Sequence, residues 1–323
     1  MNGHLLRIKI SRPFYKRYLH CPSSLTLHFC RQILYAIRIP ASRNVEGNKM
    51  SKDAIEIIYE DANIIVINKP AGVSVTKDRS GQPQLTDLLV KQLGKEMTAK
   101  LRLVHRLDKD TSGVMILALN RAAQRQFADY FFNRTVKKTY LALVKGAVLD
   151  PDGVVEAPLA PCKKKPGLMI IDHRGGKESV TNWRLLANFG LVSLIAATPL
   201  TGRTHQIRVH LASIGLPLAI DPLYAGREPI MLSEFKKDYR LGKFQEEKPL
   251  IERLTLHAYQ IVLPPELVLS NAEESGIQNN CFIAKLDKKF AATIKMLTKH
   301  NPKGPSAFFN PTEFDRILAG QAI

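Results

Sequence analysis

A charged loop between two apolar runs constrains the fold of this chain more than any other feature. Residues 114–119 form a short run rich in β-branched side chains, which predicts a buried strand, and residues 101–104 form a shorter apolar run before it. The polar stretch between them ends in Ser-Gly and predicts a loop between strands. Asp108 lies in this loop with cations on both sides, a pattern that suits a chemical role but equally suits a turn aspartate that caps its own backbone.

A second polar motif, residues 201–211, predicts a loop that runs into a helix. Ile207, Leu211 and Ile214 recur at helical spacing and predict the buried face of that helix. Gly215 is a natural helix end. Further runs predict strands at 55–59, 64–68, 139–144, 179–187 and 191–199, and helices at 85–93, after Asn120 and at 286–300.

The charge of the chain points to a polyanionic partner. Its 323 residues carry a formal net charge of +18, and the sequence pI is about 9.8. A strongly positive surface attracts nucleic acid first and anionic membranes second. No apolar run approaches the length of a membrane span, and the four cysteines form no C-x-x-C pair, so neither a disulfide framework nor a zinc site is predicted.

Residues 1–49 differ from the rest of the chain. Nine Lys and Arg side chains are opposed there by the single acid Glu46. We interpret this segment as a basic N-terminal extension that is disordered or not part of the core. It could act as a basic arm for RNA, be an upstream stretch that is not translated because Met50 begins better-organised sequence, or target the chain to an organelle.

Four segments resemble motifs of the RluA family of pseudouridine synthases: His105-Arg106-Leu107-Asp108 followed by Thr111-Ser112-Gly113, Lys69-Pro70-Ala71-Gly72, Lys137-Lys138-Thr139-Tyr140, and Gly202-Arg203-Thr204-His205-Gln206-Ile207-Arg208. The resemblance spans residues 55–264, without an S4-type module, and departs from the family at Ile220, where a glycine is usual. It implies an α+β fold with a central, mainly antiparallel mixed sheet, flanking helices and a catalytic cleft. The catalytic domain would cover residues 50–300, and residues 301–323 would form a loosely held C-terminal tail.

The resemblance also implies roles for individual residues. Asp108 matches the family's catalytic aspartate, Arg208 the partner of that aspartate, and Tyr140 a tyrosine of the active site. The RNA-binding residues implied by the matched motifs are Arg106, which would fill the gap left by a flipped nucleotide, Lys69, Lys138, Arg203 and His205.

The implied activity is the isomerisation of specific uridines in structured RNA, ribosomal or transfer, to pseudouridine. The base is detached from the ribose, turned and rejoined through C5 without leaving the pocket, so no cofactor is expected. Asp108 would act as a nucleophile and would have to stay ionised in a dry pocket, which requires a cation nearby. A guanidinium such as that of Arg208 stays charged and can bind a carboxylate bidentately. The target nucleotide must be flipped out of its stack.

Two other functions fit part of the pattern. A non-catalytic RNA-binding protein on the same fold would keep the basic surface. Metal-dependent hydrolysis could use His105, Asp108, Asp110, His205 and His210. However, His205 and His210 are five positions apart and would lie about 140° from each other on a helix, whereas a helical zinc pair is four apart. We therefore expect no metal. We also expect no contact with a membrane and a monomer located in the cytoplasm, with organelle targeting by the basic N-terminus left open.

Overall fold

The computed structural model describes most of the chain from residue 54 onward. The described residues are 54–76, 81–226, 228–242, 245–270, 272, 275–278, 280–300, 316, 317 and 319–323. The predicted N-terminal extension, residues 1–49, lies outside them, and so does most of the predicted tail. The predicted domain boundaries next to residues 50 and 300 therefore stay predictions.

A ten-stranded sheet organises the described residues, and a separate two-stranded hairpin, β7–β8, accompanies it. The order of the strands is β1-β2-β4-β11-β5-β10-β9-β6, with β3 paired to β4 and β12 paired to β11. The strands are β1 (Glu56–Glu60), β2 (Ile64–Lys69), β3 (Arg102–Leu103), β4 (Ser112–Ala118), β5 (Lys137–Lys145), β6 (Asp152–Glu156), β7 (Leu159–Pro161), β8 (Met169–Ile171), β9 (Val180–Asn188), β10 (Val192–Pro199), β11 (Leu256–Val262) and β12 (Cys281–Ile283). Among the described strands only β4 and β11 pair in parallel, which confirms the predicted mainly antiparallel mixed sheet.

Five α-helices and one 3-10 helix (Leu232–Glu234) occur in the described residues. The α-helices are α1 (Leu85–Leu93), α2 (Lys95–Lys100), α3 (Arg121–Phe132), α4 (Gln206–Ser213) and α5 (Lys288–His300). As predicted, the side chain of Asn120 caps α3, accepting a hydrogen bond from the amide of Ala123. None of these described helices is long and apolar enough to cross a bilayer.

The two faces of the central strands are covered by different helices. Along β5, Leu141 and Leu143 pack in the same cluster as Phe290 of α5. Ala142 and Val144 alternate with them and pack in the cluster that contains Ile207 and Leu211 of α4. Because successive side chains of a strand point to opposite faces, α4 and α5 lie on opposite sides of the sheet. A third cluster joins β2 and β4 to α1 and α3.

A close approach of β4 and β11 fixes the end of the loop that carries Asp108. Gly113 pairs with Ala258 in the parallel ladder, and Ala258 pairs on its other side with Tyr140 of β5. A Cβ atom on Gly113 would lie 2.1 Å from the carbonyl oxygen of Ala258, and Gly113 also has a φ of 121°. Only glycine fits there, and the contact places the loop and Tyr140 at the same level of the sheet.

Two expectations for the C-terminal half need correction. The charged, irregular sequence of residues 227–252 predicts a surface insertion, but the described part of this segment buries Ile230, Phe235 and Ile251 in the α5 cluster. The predicted loosely held tail is likewise anchored where it is described: Ile317 is 1% exposed, and the hydroxyl of Tyr259 donates to the carbonyl of Gln321. The sparse apolar residues of these segments are used as anchors in the core, which composition alone does not reveal.

Candidate active site

A buried arginine on α4 is the centre of the candidate site. The side chain of Arg208 is 3% exposed. Its Nε donates to Oδ2 of Asp221 at 2.8 Å and its Nη2 donates to Oδ1 at 2.6 Å. Burial alone would lower the pKa of Arg208, but the hydrogen bond and charge of Asp221, with the charge of Asp108, raise it, so the guanidinium stays charged. The bidentate contact expected between Arg208 and Asp108 is therefore made with Asp221 instead.

Asp108 lies beside this ion pair and faces solvent over 21% of its side chain. Its Oδ2 is 3.6 Å from Nη1 of Arg208 and 3.9 Å from Nε2 of His205. Both distances are longer than a hydrogen bond, so charge holds the carboxylate in place while its lone pairs stay available. The turn is closed by the backbone, because the amide of Thr111 donates to the carbonyl of Asp108.

Lys69 fixes the back of the loop and does not reach RNA. It is fully buried, and its Nζ donates to the carbonyl oxygens of Pro70 at 2.9 Å, Val73 at 2.7 Å and Lys109 at 2.9 Å. Burial lowers the pKa of Lys69 to about 7, opposed by the charges of Asp110 and Asp108. Three carbonyls require three N–H donors, which the ammonium form alone supplies. The predicted RNA contact of Lys69 is wrong, because this amine joins two loops inside the protein.

Tyr140 faces the Asp108 loop from β5, which β11 separates from β4 in the sheet. It lies on β5 in the row that continues through Ala258 to Gly113, so the sheet register brings it level with the Asp108 loop. Burial, and after it the negative charge of Asp108, raise the pKa of Tyr140. The phenol is therefore neutral at physiological pH.

His205, held by a tyrosine, forms a second contact to Asp108. The amide of Met169 donates to the hydroxyl oxygen of Tyr224 at 2.9 Å, and that hydroxyl lies 2.8 Å from Nδ1 of His205. Since the amide is a donor, the hydroxyl proton is free for Nδ1, which leaves the ring proton of His205 on Nε2, facing Asp108. Burial lowers the pKa of His205, although Asp108 opposes the shift. The Tyr224 ring also lies under Arg208, with its centroid 5.1 Å from Cζ.

The loop before α4 is fixed by one buried glutamine. Gln206 donates through Nε2 to the carbonyl of Val180 at 2.9 Å and to Oγ1 of Thr181 at 3.0 Å. Its Oε1 accepts from Oγ1 of Thr201 at 2.7 Å and from the amide of Arg203 at 3.0 Å. Two of these hydrogen bonds tie the start of α4 to strand β9 and two tie it to the preceding loop, and together they set the position of Arg208, two residues later.

Asp108, Tyr140 and Arg208 line a cleft of about 600 Å³, a volume typical of small-molecule sites. Seven of the eight residues predicted from the sequence line it, and Lys69 does not: the seven are Asp108, Tyr140, Arg208, Arg106, Lys138, Arg203 and His205. Sequence reasoning missed two residues of the site, Asp221 and Tyr224. Their signal was present, because a buried guanidinium requires a carboxylate and the stretch that contains Asp221 and Tyr224 follows the arginine motif closely.

The histidines that suggested a metal site are used elsewhere. His105 accepts a hydrogen bond at Nε2 from the amide of Ile116 and stacks on the ring of Phe131. His210 bonds through its two ring nitrogens to Thr181 and Ser179. Within the described part of the chain, no group of three or more potential ligands is close enough to hold a metal ion.

The chain is similar in sequence and in structure to known proteins. The sequence profile of the RNA pseudouridylate synthase family matches residues 63–213, which include Asp108, Tyr140 and Arg208. The chain is similar to ribosomal large subunit pseudouridine synthase D of Borreliella burgdorferi, with 33% identity over 78% of this chain and 77% of that protein. It is 38% identical, over 62% of this chain and 60% of that protein, to the synthase of the same name from Nitrosomonas europaea. Among solved structures, human RNA pseudouridylate synthase domain containing 4 is similar with a TM-score of 0.54 and 29% identity over 75% of this chain and 92% of that chain.

Proposed function

Because the chain belongs to the RNA pseudouridine synthase family, we propose that it isomerises specific uridines of large-subunit ribosomal RNA, with Asp108 as the nucleophile. Family membership makes the chain an isomerase that converts uridine in RNA to pseudouridine. Two similar proteins carry names that refer to the large ribosomal subunit, which supports ribosomal over transfer RNA as the substrate.

One observation carries the role of Asp108: its carboxylate is 3.6 Å from a buried, permanently charged guanidinium in the cleft. Arg208 is kept in place by Asp221, so its remaining Nη1 can stabilise an anion without moving. A carboxylate held by charge but free of short hydrogen bonds keeps a lone pair for attack on the substrate.

The proposed reaction balances within the uridine itself. The bond between C1′ and N1 breaks, the base turns, C5 bonds to C1′, the hydrogen of C5 leaves as a proton, and N1 gains a proton. Asp108 serves as nucleophile while the base is detached, and the bond that it forms with the nucleotide breaks again before the product leaves, which regenerates the carboxylate. Tyr140, a neutral phenol because its pKa is raised, offers the base a flat face and a hydroxyl near C5.

A tritium-release assay tests this proposal. Large-subunit ribosomal RNA and transfer RNA labelled with tritium at C5 of uridine are each incubated with the wild type, Asp108→Asn and Asp152→Asn. Asp152 is exposed on β6 and does not line the cleft, so Asp152→Asn is the control for the substitution itself. We expect release from ribosomal RNA with the wild type and the control, and none with Asp108→Asn.

Binding of the same RNA should change less than a few fold in Asp108→Asn, because affinity comes mainly from cations on phosphates. Full release by Asp108→Asn would overturn the role of Asp108. Release from transfer RNA alone would overturn the choice of substrate. RNA binding without any release by the wild type would identify a non-catalytic RNA-binding protein.

A further inference from the structure

An aromatic side chain at the mouth of the cleft is left almost entirely in water. Phe132, the last residue of α3, is 85% exposed, yet it lines the cleft that contains Asp108. Its neighbour Phe131 is half-buried and stacks on the His105 ring, with the centroids 4.4 Å apart and the planes 23° apart. The stacking of Phe131 holds the end of α3, so the backbone of Phe132 has a fixed place on the rim of the cleft.

Two cations share the lining of the cleft with this ring. Arg134 and Lys138 line the same cleft, and neither forms an ion pair with another described residue. A Cβ atom on Gly202 would lie 4.0 Å from Nζ of Lys138, so the ammonium group adjoins the loop that carries Arg203. Burial, and after it the positive charge of Arg134, lower the pKa of Lys138. An anion bound between Arg134 and Lys138 would relieve the repulsion between these two cations.

We propose that Phe132, Arg134 and Lys138 form a subsite for one unpaired nucleotide adjacent to the target uridine. The base of this nucleotide stacks on Phe132, and its phosphate lies between Arg134 and Lys138. The inference rests on the proposed function, because it takes RNA as the ligand of the cleft. An apolar peptide would also cover a phenylalanine, but it would leave the two cations without an anion, and a nucleotide satisfies both features.

The physical reason for such a subsite follows from base flipping. When the target uridine leaves its strand, the neighbouring base loses a stacking partner and becomes available for another. Aromatic side chains next to cations are the usual platforms for unpaired bases in RNA, and they accept any base because every base has a flat face. Phe132 would thus help to hold the strand open while Asp108 acts on the uridine.

An abasic scan through the loop of a hairpin RNA tests the subsite. The probe is a fluorescein-labelled RNA hairpin with a seven-nucleotide loop and one central uridine, in which each other loop position is made abasic in turn. Dissociation constants are measured for the wild type, Phe132→Ala and Phe132→Trp. Leu149→Ala is the control, because Leu149 is 73% exposed but does not line the cleft.

We expect one loop position next to the uridine at which the abasic change weakens binding to the wild type by about 5- to 100-fold. Phe132→Ala should bind the intact hairpin more weakly than the wild type does, by a similar factor. The same abasic change should not weaken the binding of Phe132→Ala any further. Phe132→Trp and Leu149→Ala should keep the wild-type sensitivity. This loss of sensitivity separates stacking from a merely structural effect, which would weaken all hairpins equally.

The subsite is overturned if no abasic position affects the wild type, or if the penalties in Phe132→Ala equal those of the wild type. The tritium-release assay distinguishes this failure from failure of the proposed function. A wild type that releases tritium from RNA, together with a flat abasic scan, removes the subsite and leaves the function in place. A wild type that releases no tritium removes the function, whatever the scan shows.

Discussion

The two carboxylates around Arg208 differ in burial and in hydrogen bonding, and this difference separates their roles. Asp221 is fully buried and accepts two hydrogen bonds from the guanidinium, whereas Asp108 is partly exposed and accepts none from it. A buried cation that loses its partner is strongly destabilising, whereas loss of a partly exposed, loosely paired charge is not. These contacts make Asp221 the residue that positions Arg208, and they support the reactive role proposed for Asp108.

Replacing these two residues one at a time should give opposite results in stability and turnover. Asp221→Asn should lower the melting temperature by roughly 6–20 °C, because the buried guanidinium loses a charge partner worth about 3–5 kcal/mol. Asp108→Asn should abolish turnover while the melting temperature stays within about 2 °C of the wild type. Circular dichroism melting curves measure the first effect and tritium release the second. Equal melting temperatures for the two variants would contradict the distinct roles.

Arg208→Lys tests whether the site needs the planar guanidinium group of Arg208 or only its positive charge. Lysine keeps the positive charge, but a single ammonium cannot bond to both oxygens of Asp221 and also face Asp108 in the same geometry. We expect a loss of turnover of about 100-fold or more, the scale at which misplacement of a catalytic group acts, with RNA affinity changed only a few fold. Arg253→Lys, at an arginine that pairs with Asp287 and does not line the cleft, is the control for the substitution itself. Normal turnover in Arg208→Lys would make Arg208 an ordinary structural cation.

Some residues of this site can be predicted from the sequence alone, and others cannot. The spacing within the motifs and their resemblance to a family located Asp108, Tyr140 and Arg208, and the structure brings all three into one cleft. A carboxylate close after the arginine motif was visible in the sequence, but only the fold decides that Asp221, and not Asp108, makes the bidentate contact with Arg208. Lys69 was misplaced for a related reason: a lysine in a turn motif suggests exposure, and three backbone carbonyls that capture its amine leave no trace in the sequence.

At the scale of secondary-structure elements, different contacts hold the two sides of the Asp108 loop. Lys69 ties the loop to the turn after β2, and the contact of Gly113 with Ala258 ties it to β11. Neither Lys69 nor Gly113 lines the cleft. A substitution that breaks either contact should therefore both lower the stability of the protein and displace Asp108.

Lys69→Met should show that this lysine is structural. The substitution leaves three backbone carbonyls without their donor inside the protein, at a cost of about 1–3 kcal/mol for each buried acceptor that water cannot reach. We expect a lower melting temperature and lower turnover, with the salt dependence of RNA affinity unchanged because no phosphate contact is lost. A reduced salt dependence at an unchanged melting temperature would instead restore Lys69 as an RNA contact.

Gly113→Ala tests the strand contact, and Gly146→Ala is its matched control. Both glycines have a positive φ, 121° and 83°, so both substitutions impose backbone strain of about 1–2 kcal/mol. A Cβ atom at Gly146 meets nothing within 4 Å, whereas at Gly113 it would collide with the backbone of Ala258. Gly113→Ala should therefore melt far below Gly146→Ala or fail to fold, as measured by circular dichroism. Similar melting temperatures would mean that β4 and β11 can separate without cost.

Elements differ in how well local patterns predict them. The strands at 179–187 and 191–199 and the helix at 85–93 were placed within one residue of β9, β10 and α1, because their apolar spacing is strong and their turns contain glycine or asparagine. The interpretation of residues 227–252 as a surface insertion was wrong because only a few anchors, such as Ile230 and Ile251, enter the core. Isolated buried residues in a charged segment carry no periodicity from which burial could be inferred.

At the scale of the whole molecule, the positive charge and the cleft serve one ligand. The chain carries a net charge of +18, and the cleft that contains Asp108 is lined by several of its cations: Arg106, Arg134, Lys138, Arg203 and Arg208. Arg208 is neutralised by Asp221 inside the protein, and Arg106 is exposed on the loop itself. Long-range attraction by the surface would bring RNA to the cleft, and the cations at its rim would fix the strand.

The dependence of RNA affinity on salt should therefore report how many phosphates the protein neutralises. For a single-stranded segment, the logarithm of the binding constant should fall with the logarithm of the salt concentration, with a slope of about 0.7 for each phosphate contacted. Arg106→Gln should reduce that slope by about one contact if Arg106 binds a phosphate, and should leave it unchanged if Arg106 instead fills the gap left by the flipped uridine. Lys295→Gln, on α5 and outside the cleft, is the control and should leave the slope as it is. Filter binding of ribosomal RNA between 50 and 200 mM salt measures the slope, and a flat dependence would mean that the positive charge of the chain serves something other than RNA.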